Sequence, residues 1–310
     1  MKEYFEFDHG QEIVLKFEQL LRQYGVEVPA GSDFEKKTYN VFEVLNFYEN
    51  PKLTPKEEDV IPICRDFMSI YELAKKLVSV SGHSDFPKLV PHLGILMKCR
   101  IGQNSKSPIT DQEANKIIEL YIASLCMKLG ATIALDHPQN SKGDNPDILS
   151  KIEKENWGFA CKTLHTLNIQ TIYENIVKAV DQIEKSPATI GIPVLNMKNV
   201  INHDLVWPTG ESFPDTSEPL DQLSAPSNQA YRGLLQDFGP NGFQNIFEGK
   251  KSVPAFITIS HSVTSIAPNP LYTPVATRLN LMMCFQSTVK DTPEFAMDVL
   301  RRINMEMQTA

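Results

Sequence analysis

The feature that most limits the fold of this chain is the order of its apolar segments between residues 111 and 197. Residues spaced as on one side of a helix come first, followed by three short strand-like segments, a second helix pattern and a fourth strand-like segment. The helix patterns cover 111–129 and 172–184, and the strand-like segments cover 131–135, 147–149, 157–164 and 192–197. Short connections indicate hairpins between the first three strands, whereas the helix before the fourth strand indicates a crossover. This order predicts an α/β fold in which a mixed β-sheet is flanked by helices.

The segment before this unit has the spacing of helices alone. Over residues 9 to about 100, apolar residues recur at helix spacing and no strand alternation interrupts them. A polar stretch rich in helix breakers, 102–108, follows and has the composition of a linker. We therefore predict an all-helical N-terminal domain at 1–105 and an α/β domain at 106–310. The helical domain contains no chemical motif, and we expect it to be structural or to bind a partner.

The C-terminal third of the chain mixes breaker-rich and apolar segments. Residues 207–252 are rich in Pro, Gly, Ser and Asn and are predicted to form mostly loop. The apolar segments 255–266 and 278–285 have strand character, and 292–307 has the spacing of a helix. We predict two further strands and a terminal helix.

Composition and charge restrict the classes of function. The chain of 310 residues has a formal net charge of −8, which argues against a broad electrostatic grip on nucleic acid but leaves room for a local basic cleft. No apolar run approaches the roughly 18 residues that span a bilayer. The five cysteines are scattered without paired spacing, which argues against a zinc site or a disulfide framework. We expect a cytoplasmic protein that does not associate with a membrane.

A carboxylate and a lysine on neighbouring strands carry the clearest chemistry. Asp147 follows Pro146 at the start of one strand, and Lys162 lies fifteen residues later on the next strand. Side chains two apart share a face of a strand, so Ala160 and Lys162 point one way while Cys161 points the other way. An Asp and a Lys at such a strand end suit phosphodiester hydrolysis, because the carboxylate would hold Mg²⁺ and the ammonium would position water or stabilise charge.

A third candidate lies on the helix that precedes these strands. Glu119 stands in the otherwise apolar stretch 117–122. An ionised carboxylate on an apolar stripe needs a partner. We expect this helix to direct Glu119 to the same site as Asp147 and Lys162.

Together these segments resemble the PD-(D/E)XK nuclease superfamily, especially its Holliday-junction-resolvase-like and restriction-endonuclease-like branches. Members of that superfamily have a helix with a Glu, a Gly further along, a strand, an Asp motif and a hairpin to a (D/E)-X-K strand. In this chain Glu119 precedes Gly130 by eleven residues, and the later motifs correspond to Asn145-Pro146-Asp147-Ile148 and Gly158-Phe159-Ala160-Cys161-Lys162. The resemblance covers about Thr110 to Glu184, roughly a quarter of the chain.

The resemblance implies a restriction-endonuclease-like fold and an endonuclease that hydrolyses DNA with Mg²⁺ or Mn²⁺, with RNA a less favoured substrate. It implies metal ligation by Asp147, Glu119 and the main-chain carbonyl of Cys161, with Lys162 as the cation that positions the attacking water. A restriction or antiviral defence role in bacterial or phage conflict follows the habits of the superfamily. The partners expected besides DNA are another copy of the chain or a protein bound through the helical N-terminal domain.

Ala160 occupies the position at which the superfamily pattern has an acidic residue. Three explanations remain open: an engineered inactivating replacement of Glu or Asp, migration of the acid to Glu174 on the following helix, or a natural domain without catalysis. Under the third explanation the chain is a nuclease-fold protein that binds nucleic acid or serves as a scaffold. Gln182, on the same helix as Glu174, is a weaker candidate for a residue near the site.

Overall fold

The computed structural model describes residues 7–49, 57–99, 114–135, 146–269, 271 and 274–309. The predicted linker at 102–108, with the boundary between residues 105 and 106, lies outside these ranges, as do Thr110 and Asn145 of the motif region. Within the described ranges the chain forms an α/β structure with a six-stranded sheet. The α/β class that the order of segments predicts is confirmed.

Both helices and strands occur after residue 114, whereas the described elements before it are all helical. The helices are α1 (Phe7–Gln23), α2 (Asp33–Glu49), α3 (Glu57–Ser79), α4 (Val90–Leu96), α5 (Ala114–Lys128), α6 (Ile169–Lys185), α7 (His203–Val206), α8 (Ser217–Asn245) and α9 (Glu294–Gln308), and a 3₁₀ turn (Phe86–Leu89) precedes α4. The strands are β1 (Thr132–Leu135), β2 (Ile148–Ile152), β3 (Glu155–Thr163), β4 (Ile190–Asn196), β5 (Ala255–Ile266) and β6 (Val275–Gln286). The predicted succession of helix, three strands, helix and strand is confirmed in α5 to β4.

Local signals in the sequence set the ends of the two helices that flank the site. Gly130 has a φ of 76° and ends the turn after α5, in the left-handed conformation that favours glycine. Asn168 caps α6 by accepting the N–H of Thr171 at 3.0 Å. The apolar side of α6 recurs at helix spacing and is buried in Ile172, Ile176, Ala179, Val180 and Ile183.

The six strands form one mixed sheet in the order β1-β2-β3-β4-β5-β6. Antiparallel pairing joins β1 to β2, β2 to β3 and β5 to β6, whereas β4 runs parallel to both β3 and β5. The helix α6 therefore forms a crossover connection between the parallel strands β3 and β4, as the order of the segments predicts. Helices α3, α5 and α9 lie on one face of the sheet, and α6 and α8 lie on the other.

Two paired glycines bring α6 close to the sheet. Gly158 of β3 lies opposite Gly191 of β4. A Cβ atom at Gly191 would lie 2.5 Å from the carbonyl oxygen of Gly158 and 2.6 Å from Cγ2 of Ile183 in α6, distances at which atoms clash. Only glycine permits this approach at Gly191, and it sets the distance between α6 and β4, the strand next to β3.

A buried ionic cluster ties α3 to the sheet. Glu72 of α3 accepts a hydrogen bond from the Tyr121 hydroxyl of α5 at 2.7 Å and forms an ion pair with Arg278 of β6. Burial alone would raise the pKa of Glu72, but nearby positive charges, Arg278 foremost, lower it to about 2. Glu72 is therefore ionised at neutral pH, and the apolar core that surrounds it runs without a break from α1 to the sheet.

The β1 edge of the sheet is covered by side chains of the 3₁₀ turn and the residue before it. Asp85 Oδ2 accepts the N–H of Ile133 at 2.8 Å, and Lys88 Nζ donates to the carbonyl of the same residue at 2.8 Å. Both main-chain groups that Ile133 directs away from β2 are satisfied in this way. The edge strand itself has only four residues. Short length and side-chain capping are both means of protecting a sheet edge.

The prediction that residues 207–252 form mostly loop is wrong, because α8 occupies 29 residues of this stretch. Pro219 lies in the first turn of α8, where a missing N–H costs no helix bond. Gly239 takes a φ of 70°, and this kink admits Pro240. The buried residues Leu223, Ala230 and Leu234 recur at helix spacing. Their burial outweighs a composition that is typical of loops.

Candidate functional site

One side of β3 is open where β2 begins. Ile148, the first residue of β2, pairs with Phe159, and β3 continues for four more residues to Thr163. Asp147 immediately precedes β2, and its Oδ2 accepts the N–H of Cys161 at 2.6 Å. The Asp147 carboxylate thus takes the place of a strand partner on the open side of β3.

Asn115 occupies the next position along this open side. Its Oδ1, in the first turn of α5, accepts the N–H of Thr163 at 2.8 Å. The N–H and C=O of one strand residue point to the same side of the strand. The carbonyl of Cys161 is therefore directed to the open side, between the groups that Asp147 and Asn115 bond.

Lys162 lies on the face of β3 that α6 covers. Its Nζ donates to Oε1 of Gln182 in α6 at 2.6 Å, and the lysine remains partly exposed. Ala160 packs against α6 on the same face, whereas Cys161 belongs to the core on the opposite face. The alternation of faces predicted for these three residues is confirmed. Gln182, the weaker candidate from the sequence, is the residue that holds the lysine.

Glu119 reaches the cluster from α5. It is 1% exposed, and its Oε2 accepts a hydrogen bond from Lys116 Nζ, one turn earlier in the same helix, at 2.5 Å. His92 Nδ1 of α4 lies 3.9 Å from the same oxygen. The partner that a buried glutamate requires is therefore Lys116. The spacing of three residues between them is typical of helix ion pairs and is the signal by which Lys116 would be found in the sequence.

The pKa values of the two carboxylates of the site are raised, because the nearby positive charges do not offset burial. Burial and then the charge of Asp147 raise the pKa of Glu119 to about 7, although Lys116 and Lys162 act to lower it. Burial also raises the pKa of Asp147, and the opposing effect of Lys162 does not cancel this shift. Asp147, Glu119 and Lys162 are thus brought into one cluster in which each charge acts on another.

The two candidate positions for a further acid lie in different surroundings. Ala160 is fully buried among small and apolar side chains, including Ala179, Ile183 and Ala188. Glu174 is exposed on α6, where its Oε1 accepts a hydrogen bond from Gln170 at 3.0 Å. Gln182, two turns further along α6, is the residue of this helix that contacts Lys162.

The donors of the site are hard oxygen atoms. They are the carboxylates of Asp147 and Glu119 and the carbonyl of Cys161. Burial raises the pKa of the Cys161 thiol well above its ordinary value, so the sulfur stays protonated and is no ligand. In the part of the chain that the structure describes, no group of three or more His, Cys, Asp or Glu side chains is arranged to hold a metal. Two carboxylates and a carbonyl nevertheless fit Mg²⁺, which takes oxygen ligands and retains several waters.

We expect Glu119→Gln to stabilise the metal-free protein above neutral pH. Because folding raises the pKa of this carboxyl group from 4.5 to about 7, the folded state binds more protons than the unfolded state between these values, and the free energy of unfolding falls as the pH rises through them. The amide lacks this penalty, so the variant should gain roughly 3 kcal/mol at pH 8 and nothing below the lower pKa.

Urea unfolding in EDTA across this pH range measures the difference. Glu174→Gln is the matched control, because Glu174 is exposed. A Glu119→Gln protein that is no more stable than the unchanged protein at pH 8 would contradict the prediction.

Comparison with known proteins does not assign the site. The chain matches no family model, no curated protein and no solved structure. Within the described ranges, no helix has the length and apolar character needed to cross a bilayer.

Proposed function

We propose that this protein is a metal-dependent DNA endonuclease of the PD-(D/E)XK type. The observation that carries the proposal is the nearness of two carboxylates, the buried Glu119 and the half-buried Asp147, to Lys162 at an open strand side. Carboxylates whose pKa values are raised together are stabilised when a cation binds between them. The succession from α5 to β4 and its antiparallel and parallel pairing support a restriction-endonuclease-like core.

The residues present fit a divalent cation. Asp147, Glu119 and the Cys161 carbonyl would hold Mg²⁺ or Mn²⁺, with water completing the shell. When bound, such a cation polarises a phosphate and lowers the pKa of a water molecule. The two negative charges of the carboxylates would then be balanced.

The other side chains of the site hold Lys162, Glu119 and the end of β3 in place. Gln182 holds the Lys162 ammonium from the side of α6, which leaves the remaining protons of the ammonium to direct water or to stabilise charge on a phosphate. Lys116 keeps Glu119 closer to its ionised form than burial alone would allow. Asn115 fixes the end of β3 and with it the position of Lys162.

The substrate and setting follow from the resemblance to the PD-(D/E)XK superfamily. DNA is proposed in preference to RNA on that ground. A role in restriction or antiviral defence, within the cytoplasm, is proposed on the same ground. The net charge of −8 confines the attraction for nucleic acid to local cations, of which Lys116 and Lys162 lie at the site itself.

A second candidate function is a nuclease-fold protein without catalysis that binds nucleic acid or serves as a scaffold. Two observations favour it. Ala160 fits a fully buried apolar contact with α6, and Lys116 already supplies one positive charge to Glu119. Under this alternative the site holds an ion pair rather than a metal.

The experiment that separates the two functions is Ala160→Glu. If the proposal is right, the added carboxylate, two residues from Lys162 on the same face, should raise cleavage of plasmid DNA in Mg²⁺ or Mn²⁺ by about 100-fold or more. In EDTA the same change should lower the melting temperature, because it buries a charge among apolar side chains. Mn²⁺ should recover part of that loss.

Ala160→Gln is the matched control, since it has the same size without the charge. Glu174→Ala, made in the unchanged chain, tests the migrated acid: loss of an existing activity would assign the role to Glu174. If no metal-dependent cleavage accompanies Ala160→Glu and Mn²⁺ does not restore its stability, the alternative without catalysis is correct.

A further inference from the structure

The second edge of the sheet, β6, is three times as long as the β1 edge and less completely capped. It has 12 residues, and at about 3.4 Å per residue it runs for about 40 Å. Ten of these residues are half-buried or exposed beside the helices that cover the two faces of the sheet. A long edge strand of this kind offers a row of main-chain groups to another strand.

Two side chains show which main-chain groups of β6 face outwards. Gln308 of α9 donates to the carbonyl of Asn280 at 3.2 Å, and the Tyr231 hydroxyl of α8 donates to the carbonyl of Gln286 at 2.9 Å. The N–H of Ser287, by contrast, donates to the carbonyl of Pro254, next to β5. The even-numbered residues of β6 therefore direct their N–H and C=O groups away from β5.

The outward donors in the centre of the strand have no protein acceptor. Within the described ranges, no side chain or main-chain group accepts the N–H of Met282 or of Cys284. Strand β6 also lacks the Lys, Glu, Asp and Pro residues that protect natural edges. Its one charged residue, Arg278, is turned inwards to Glu72.

The flanks of this edge are apolar as well. Leu281, Met282 and Met283 are each half-buried. Met305 of α9, one helix turn before Gln308, is 65% exposed. A partner strand laid along β6 would cover these side chains together with the main-chain groups.

We propose that β6 pairs with β6 of a second copy of this chain, antiparallel and about a two-fold axis. Any strand is complementary to itself in this arrangement, because an antiparallel pair exchanges the same N–H and C=O groups in both directions. The pairing joins two six-stranded sheets into one.

The lack of charge on the edge strand favours a second copy over a charged foreign strand. Two copies that each carry a net charge of −8 repel one another, so pairing is expected only along a strand on which no like charges meet. The edge strand brings no like charges together, because Arg278 is neutralised within its own subunit. Residues 279–285 are without charge, so they offer no complement to a basic or an acidic peptide.

Analytical ultracentrifugation of the full chain tests the proposal. The unchanged protein should sediment as a dimer at concentrations of tens of micromolar, and Met282→Lys should convert it to a monomer, because a charged side chain at the centre of the edge opposes pairing. Ala134→Lys on the capped β1 edge is the matched control and should remain dimeric. Circular dichroism and thermal melting establish that both variants are folded.

Hydrogen exchange supplies a second measurement that needs no variant. The main-chain amides of Met282 and Cys284 should exchange more slowly as the protein concentration rises. A monomeric unchanged protein, a Met282→Lys protein that stays dimeric, or amide exchange at β6 that does not depend on concentration would each overturn the proposal.

Discussion

Asp147→Asn is expected to abolish stabilisation of the protein by Mn²⁺ and to lower metal-dependent cleavage by at least about 100-fold. Asparagine keeps the size of the side chain, and its oxygen can still accept the Cys161 N–H that Asp147 Oδ2 now accepts at 2.6 Å. What is lost is the negative charge that would bind the cation. Because burial raises the pKa of Asp147, removal of this charge should leave the metal-free protein no less stable than before.

Two measurements check this result. Thermal unfolding in the presence of Mn²⁺ should show a gain of about 2.7 kcal/mol for the unchanged chain when the metal is at 100 times its Kd, and no gain for the variant. Cleavage is compared in the Ala160→Glu background, so that a weak starting activity does not hide the effect. Asp221→Asn, at an exposed position of α8, is the control. If Mn²⁺ stabilises Asp147→Asn and the control equally, Asp147 is not a ligand and the nuclease proposal fails.

Glu72→Ala should destabilise the protein strongly, because it breaks a buried ion pair. Removing one partner of such a pair costs about 3–5 kcal/mol, since the opposite charge stays buried. The Arg278 and Glu72 side chains are only 8% and 5% exposed, and Lys76 is fully buried nearby. We expect the melting temperature to fall by roughly 5–10 °C.

Glu294→Ala is the matched control, because Glu294 forms its ion pair with Arg301 while 80% exposed and should contribute less than about 1 kcal/mol. Combining Glu72→Met with Arg278→Met should cost less than Glu72→Ala, since the charge of Arg278 is removed together with that of Glu72. Differential scanning calorimetry measures both comparisons. A loss for Glu72→Ala no larger than that of the control would show that the buried pair contributes little.

Glu72 also makes the stability of the protein depend on pH in the acid range. Its pKa is lowered on folding from 4.5 to about 2. The unfolded state therefore binds more protons than the folded state between these values, and the stabilisation is complete above the upper value and is lost as the pH falls towards the lower one. Glu72→Gln should remove this part of the pH dependence.

The sequence was informative where a local rule decides the structure. The period of two in a strand predicted that Ala160 and Lys162 share a face and that Cys161 lies on the other. The succession of apolar segments predicted the order and mixed pairing of the strands from β1 to β4. An ionised Glu119 in an apolar helix predicted that a partner exists, although not that it is Lys116.

Such local rules cannot predict contacts between segments that are distant in the chain. Glu72 and Arg278 are 206 residues apart in the chain, and no local spacing relates them. Composition also misled in residues 207–252, because α8 forms despite its prolines: Pro219 lies in the first turn and Pro240 follows the glycine kink, but Pro226 lies in the helix interior. The close approach of α6 to β4 occurs at Gly191, which lies opposite Gly158, a pairing that only the register of two parallel strands reveals.

The capping of β1 by Asp85 and Lys88 limits how far assembly can proceed. A sheet with two open edges can add subunits without end and grow into a fibre, whereas a sheet with one open edge finishes when that edge is used. Because both outward groups of Ile133 are already bonded within the subunit, growth through β6 would stop at two copies. Two short side-chain hydrogen bonds on a four-residue strand would thus separate a finite assembly from an aggregate.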